Sequence, residues 1–93
     1  MTVIGTDKIE EFMRMHEDST SWLKAWLAEA RSANWKSPMD IKSRYRSASI
    51  LDNNRVIFNV KGNSYRMEIQ VSYNNGVVAI NRLGTHAEYD RWD

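Results

Sequence analysis

Between residues 64 and 73 polar and apolar side chains alternate without a break: Tyr65, Met67, Ile69, Val71 and Tyr73 against Ser64, Arg66, Glu68, Gln70 and Ser72. Successive side chains of an extended strand point to opposite faces, so this run predicts a half-buried strand with one apolar and one polar side. Asn74-Asn75-Gly76 follows with the residues of a hairpin turn and predicts a returning strand over 77–83, ended by Gly84. Upstream, Arg55-Val56-Ile57-Phe58-Asn59-Val60 reads as another strand between the turn signals Asp52-Asn53-Asn54 and Lys61-Gly62-Asn63. A small antiparallel sheet with one apolar face results, and that face needs a cover.

The first third of the chain supplies the cover. Thr6 is placed to cap a helix running to about Asp18, on which Ile9, Phe12, Met13 and His16 share one face. A second helix, from Ser19–Ser21 to about Ala33, repeats the spacing with Trp22, Leu23, Trp26, Leu27 and Ala30. The two read as a helical hairpin. Ser37-Pro38 has the form of a cap and first turn for a short helix through Ile41 and Lys42 toward Tyr45, and 86–93 reads as a short terminal loop or helix. Helices first and sheet second predict an α+β fold: a helical hairpin packed on one face of a small antiparallel sheet, as one domain over 1–93. Trp22, Trp26 and Trp35, at helical spacing, read as core or as a partner-binding face and not as base-stacking platforms. The opposite face, carrying Arg66, Glu68 and Gln70, is expected to be open or partly open.

Ninety-three residues and 10.9 kDa leave no room for a two-domain enzyme or a large cofactor-binding fold. There is no cysteine, which removes disulfides and thiolate metal sites. The apolar opening is too short for a signal peptide and no run approaches eighteen apolar residues, so a soluble, cytoplasmic protein without membrane attachment is expected. The net charge of +1 conceals an uneven distribution. Residues 34–66 carry seven bases against two acids, whereas 1–33 carry four against six and 67–93 two against four. A basic middle of this kind suits a polyanionic partner.

Only His16 and His86 belong to the residue type that ordinarily titrates near neutrality. His16 ends an apolar helical stripe and reads as structural. His86 follows Gly84-Thr85 after the last strand, with Tyr89 and Asp90 within one turn, where a loop can present it beside the polar face. Arg66, mid-strand on that face, suits either a cross-strand ion pair or, through its planar donor fork, a phosphate. Paired histidines, carboxylates at ligand spacing, a P-loop and a dinucleotide glycine motif are all missing, so neither metal nor cofactor is expected.

Three stretches together resemble the HigB-type toxins of bacterial toxin-antitoxin pairs. They are Ala33-Asn34-Trp35-Lys36-Ser37-Pro38-Met39-Asp40-Ile41-Lys42 with Ser47-Ala48-Ser49-Ile50-Leu51, then Val56 through Arg66, then Gly84-Thr85-His86-Ala87-Glu88-Tyr89-Asp90. The resemblance implies a RelE-superfamily fold and an mRNA interferase that cuts messages on the translating ribosome. It further implies neutralisation by a HigA-type helix-turn-helix antitoxin. Position by position, Arg66 would hold the scissile phosphate, His86 and Tyr89 would stand near the cut, and Asp90 would orient them. Lys61 and Asn63 match the adjoining turn, and Lys36 and Lys42, with Arg44 and Arg46 beside them, the basic segment that meets ribosomal RNA.

Metal-free RNA cleavage uses the substrate's 2′-hydroxyl as nucleophile and needs a proton acceptor, a donor for the leaving 5′-oxygen and cations around the phosphorane. His86 and Tyr89 are the candidates for the first two, Arg66 and Lys61 for the third. Three positions depart from the family pattern: Ser64 where a base is frequent, Asn81 where an arginine often lies, and the acid Glu68 two residues beyond Arg66. Arg82, one step past Asn81, is expected on the opposite face. These changes lower the positive potential of the cleft. The alternative reading is a non-catalytic inhibitor that occupies RNA or the ribosome.

Overall fold

The structure, a computed structural model, describes residues 1–92. Asp93, the last residue of the expected terminal segment, lies outside them. In chain order the elements are β1 (Thr2–Ile4), α1 (Thr6–Met15), a 3-10 turn (Glu17–Ser19), α2 (Thr20–Ser32), α3 (Pro38–Arg44), β2 (Ser49–Ile50), β3 (Arg55–Val60), β4 (Tyr65–Ser72), β5 (Val77–Thr85) and α4 (His86–Tyr89). The five strands form one sheet in the order β1-β5-β4-β3-β2, antiparallel throughout except for β1 on β5. This is the α+β architecture the periodicity predicts, with two added edge strands, the two-residue β2 on β3 and β1 on β5. The apolar start at Val3 and Ile4 is an edge strand whose parallel partner, Val3 lying beside Val78, is too distant in the chain to leave a local trace in sequence.

α1 begins at Thr6 but is not capped by it. Gly5 holds the N-cap position with φ 83°, in the left-handed region that favours glycine. The same site leaves no room for a side chain, since a Cβ on Gly5 would lie 3.1 Å from the Ile80 carbonyl oxygen of β5. The helix stops at Met15, short of the expected Asp18, and the 3-10 turn redirects the chain into α2, with the buried Ser19 hydroxyl donating to the His16 carbonyl at 2.6 Å.

The apolar stripes meet the sheet as their spacing requires. Ile9 and Phe12 of α1, Leu23, Trp26 and Ala30 of α2, and Ile41 of α3 are buried against Val56, Phe58, Val60, Met67, Ile69, Val71, Val78 and Ile80. Phe58 is the hub of an aromatic cluster, with Trp26 and Tyr45 in edge-on contact at 5.5 and 5.2 Å, arrangements that add to simple burial. Trp35 is buried beside Trp26, and Trp22 is partly buried at the rim. Among the described residues no helix is long and apolar enough to cross a membrane.

Two sheet details set up the site. Tyr65 pairs with Thr85 and Arg66 with Gly84, so β5 runs through Gly84 instead of ending there. Farther along, Glu68 pairs with Arg82 but Ile69 with Ile80, leaving Asn81 as the extra residue of a β-bulge. A bulge breaks the strict alternation of faces. Arg82 therefore does not point away from Asn81 as expected; both reach Glu68 on the face opposite the core.

Candidate functional site

The polar face of β4 is covered at Arg66 and Glu68 and stays partly exposed at Gln70 and Ser72. Arg66 is 7% exposed and Glu68 5%, because the chain after β5 folds back over them. Thr85 starts this return with a capping box: its backbone N–H donates to the Glu88 carboxylate at 2.8 Å, and the Glu88 N–H donates to the Thr85 hydroxyl at 3.2 Å. Hydrogen bonding from Thr85 lowers the Glu88 pKa. Gly84 lets α4 settle closely, since a Cβ there would stand 3.0 Å from the Trp92 ring and 3.1 Å from the Glu88 Cβ.

Arg66 is held from behind. Its guanidinium donates to the Asn63 side-chain oxygen at 2.7 Å, to the Tyr65 carbonyl at 3.0 Å and to the Asn63 carbonyl at 3.3 Å. Its carbon lies 5.2 Å from the centre of the Tyr89 ring. His86 and Tyr89 stack edge-on at 6.4 Å, and His86 Nδ1 lies 3.5 Å from an Asp90 carboxylate oxygen, ion-pair distance once the imidazole is protonated. Arg66, Asn63, His86, Tyr89 and Asp90 thus come together from one turn, one strand and one helix. Asn63 enters as the orienter of Arg66.

The other predicted residues lie outside this cluster. Lys61 turns to the helical layer, where its ammonium meets the Asp18 carboxylate at 2.9 Å. The Tyr65 hydroxyl donates to the same carboxylate at 2.6 Å. These two hydrogen bonds, Tyr65 first, lower the Asp18 pKa, and the bond to Asp18 raises that of Tyr65. On α3, Lys42 donates to the Ala48 carbonyl at 2.5 Å and Arg44 pairs with Glu29 of α2 at 2.8 Å. Lys36 and Arg46 are exposed on the same segment. His16, read as structural, packs between Phe12 and Tyr65 at centroid distances of 4.4 and 5.0 Å.

Beside Arg66 lies a feature the alternation of faces conceals. Glu68 accepts hydrogen bonds from Asn81 at 2.9 Å and Arg82 at 3.2 Å, with Arg55 at 3.8 Å. The Arg82 guanidinium lies 4.3 Å from the centre of a Trp92 ring. A cleft of about 380 Å³ opens here. Ile57, Glu68 and Arg82 come to it from the sheet, Leu51 from the chain beyond β2, and Tyr89, Asp90 and Trp92 from the terminal segment. No sequence signal marks it, since Arg82 is expected on the opposite face and Glu68 on an open one, and a bulge of this kind is decided by tertiary packing.

A comparison with curated proteins finds no match for the chain. The family model HigB_toxin, described as the RelE-like toxic component of a toxin-antitoxin system, matches residues 19–92, from the end of the 3-10 turn ahead of α2 through the His86–Trp92 return. With its α+β architecture as the resemblance implied, the chain belongs to this family of RelE-like toxins.

Proposed function

We propose that the chain is a metal-free endoribonuclease that cleaves translated mRNA on the ribosome and is neutralised by a HigA-type helix-turn-helix antitoxin. The observation that carries this reading is the convergence of Arg66 with Tyr89 and the His86–Asp90 pair at the end of the sheet where β4 begins and β5 finishes. A proton leaves the 2′-hydroxyl for one of His86 and Tyr89, the 2′-oxygen attacks phosphorus, and the 5′-oxygen departs with a proton from the other. The products are a 2′,3′-cyclic phosphate and a 5′-hydroxyl. Arg66 offsets the charge gathering on the phosphorane, where a preorganised cation acts most strongly. The ribosome supplies the alignment of the message, which a site this small cannot provide alone.

One observation favours a second reading, inhibition without cleavage: Arg66 is nearly covered, so under the first reading Tyr89 must shift as RNA enters. Expression without antitoxin, followed by mapping of RNA ends, separates the two. Growth arrest with fragments cut inside reading frames and ending in cyclic phosphate supports the nuclease, whereas arrest with intact transcripts supports the binder. Arg66→Ala and His86→Ala are expected to lower cleavage by about 10²–10⁴-fold; full activity in both variants overturns the site assignment.

A further inference from the structure

The Arg66 guanidinium takes its aim from one short stretch of chain. Among the described residues its hydrogen bonds go to residues 63 and 65: the Asn63 side-chain oxygen, the Asn63 carbonyl and the Tyr65 carbonyl. This stretch belongs to the tip of the β3–β4 hairpin, where Lys61 and Gly62 have φ of 50° and 65°. A non-glycine residue in that region is uncommon. The backbone hydrogen bond that closes the turn, from the Ser64 N–H to the Lys61 carbonyl, is long at 3.3 Å. Such a turn needs support from outside.

Asp18 supplies it. One carboxylate oxygen accepts from the Lys61 ammonium at 2.9 Å and the other from the Tyr65 hydroxyl at 2.6 Å, so a single side chain grips the stretch at both ends. Asp18 comes from the corner between α1 and α2, where the buried Ser19 closes the 3-10 turn onto the His16 carbonyl through both its hydroxyl and its N–H. The Tyr65 ring is packed against Phe12 and His16 of the same corner. We propose that Asp18 is a positioning residue of the ribonuclease: by holding Lys61 and Tyr65 it fixes the turn on which Arg66 rests and so aims the guanidinium at the scissile phosphate. The assignment rests on the ribonuclease reading above.

The other work such a carboxylate could do is to stabilise the fold, and exposure argues against it. The Asp18 and Lys61 side chains are each 49% exposed, and ion pairs so exposed to solvent add little to stability. Placement is a different matter, because a displacement of about 1 Å at a site can cost about 10²-fold in rate. Lys61 then serves the site by bracing the turn and not by lending its charge to the phosphate.

Asp18→Ala in the full chain tests this on two independent readouts. In ribosome-dependent cleavage the variant is expected to lose about 10–100-fold. Because Asn63 lies on the same route to Arg66, Asp18→Ala combined with Asn63→Ala is expected to lose well short of the product of the two separate losses. Unchanged cleavage in Asp18→Ala, or losses that multiply in full, overturns the positioning role and leaves the nuclease reading standing.

The second readout needs no cleavage. The Arg66 side-chain Nε–H resonance is expected to move in Asp18→Ala in the direction set by Asn63→Ala, with the Trp26 indole resonance in place. It is expected to return toward its wild-type position in Asp18→Asn, whose side-chain oxygen still accepts a hydrogen bond. An unmoved Arg66 resonance, or one that moves only together with that of Trp26, overturns the proposal. If the wild-type chain does not cleave, the nuclease reading fails by itself, and this resonance alone decides whether Asp18 aims Arg66.

Discussion

Arg66 and Glu68 stand two residues apart on β4, and their surroundings assign them different work. Arg66 is aimed by the turn behind it, whereas Glu68 collects two arginines and an amide. The alternation left Arg66 open between a cross-strand ion pair and a phosphate contact, and the family resemblance singled out the second. It gave Lys61 a share in the same positive field, but Asp18, brought next to it by the turn between α1 and α2, takes that ammonium instead. The Asp18–Tyr65 contact has a pH signature. Asp18 has a lowered folded pKa, so its contribution to stability is present above the ordinary carboxylate range, about 3.9, and is lost as pH falls through the lowered value. Tyr65 has a raised one, so its contribution is present below about 10 and is lost as pH rises through the raised value. Tyr65→Phe is therefore expected to move the Asp18 carboxyl back up toward its ordinary value in an NMR pH titration. An unmoved carboxyl would show that Lys61 alone sets it.

At the scale of elements, β5 and α4 form the device that turns a sheet face into a site. The bulge at Asn81 swings Arg82 onto the face of Glu68, Gly84 leaves a space where α4 sits down, and the Thr85–Glu88 capping box fixes where the helix begins. A four-residue helix has almost no stability of its own, so these anchors decide its position. Thr85→Ala is expected to cost about 1 kcal/mol and Gly84→Ala about 1–3 kcal/mol through overpacking against Trp92 and Glu88. Both should move the Trp92 indole resonance toward its solvent-exposed value while leaving the Trp26 resonance in place. Loss of both signals together would mean that α4 is an integral part of the core and not a separately anchored segment. β3 was legible to the residue from its flanking turn signals and β4 to within one residue at each end from alternation, while α1 stops three residues short of its expected end. β1, the bulge and the extension of β5 were not, because each depends on a partner distant in sequence.

Across the whole molecule, the radius of gyration of 12.3 Å is that of a compact chain of this length, about 12 Å, and the tryptophan-rich hairpin is what closes it. Leu23 and Trp26 are 0% and 1% exposed at the centre of that cover. Leu23→Ala is expected to destabilise by about 2–5 kcal/mol, read as a lower midpoint in urea with an unchanged slope; a smaller slope would indicate that the variant's native state is already partly open. Periodicity alone determined which residues form the core, because period 3.6 in the first third and period 2 in the second leave one way to hide the apolar side chains. The family resemblance, and not periodicity, singled out Arg66 and the His86–Asp90 stretch as candidate chemical groups. Only the tertiary structure decided that the face carrying Arg66 and Glu68 is roofed over, that Arg82 shares it, and that Lys61 faces away. The physical reason is range: side-chain alternation is set by each residue's own backbone, whereas a bulge, a parallel edge strand and a returning helix are stabilised by contacts between segments that the sequence does not place side by side.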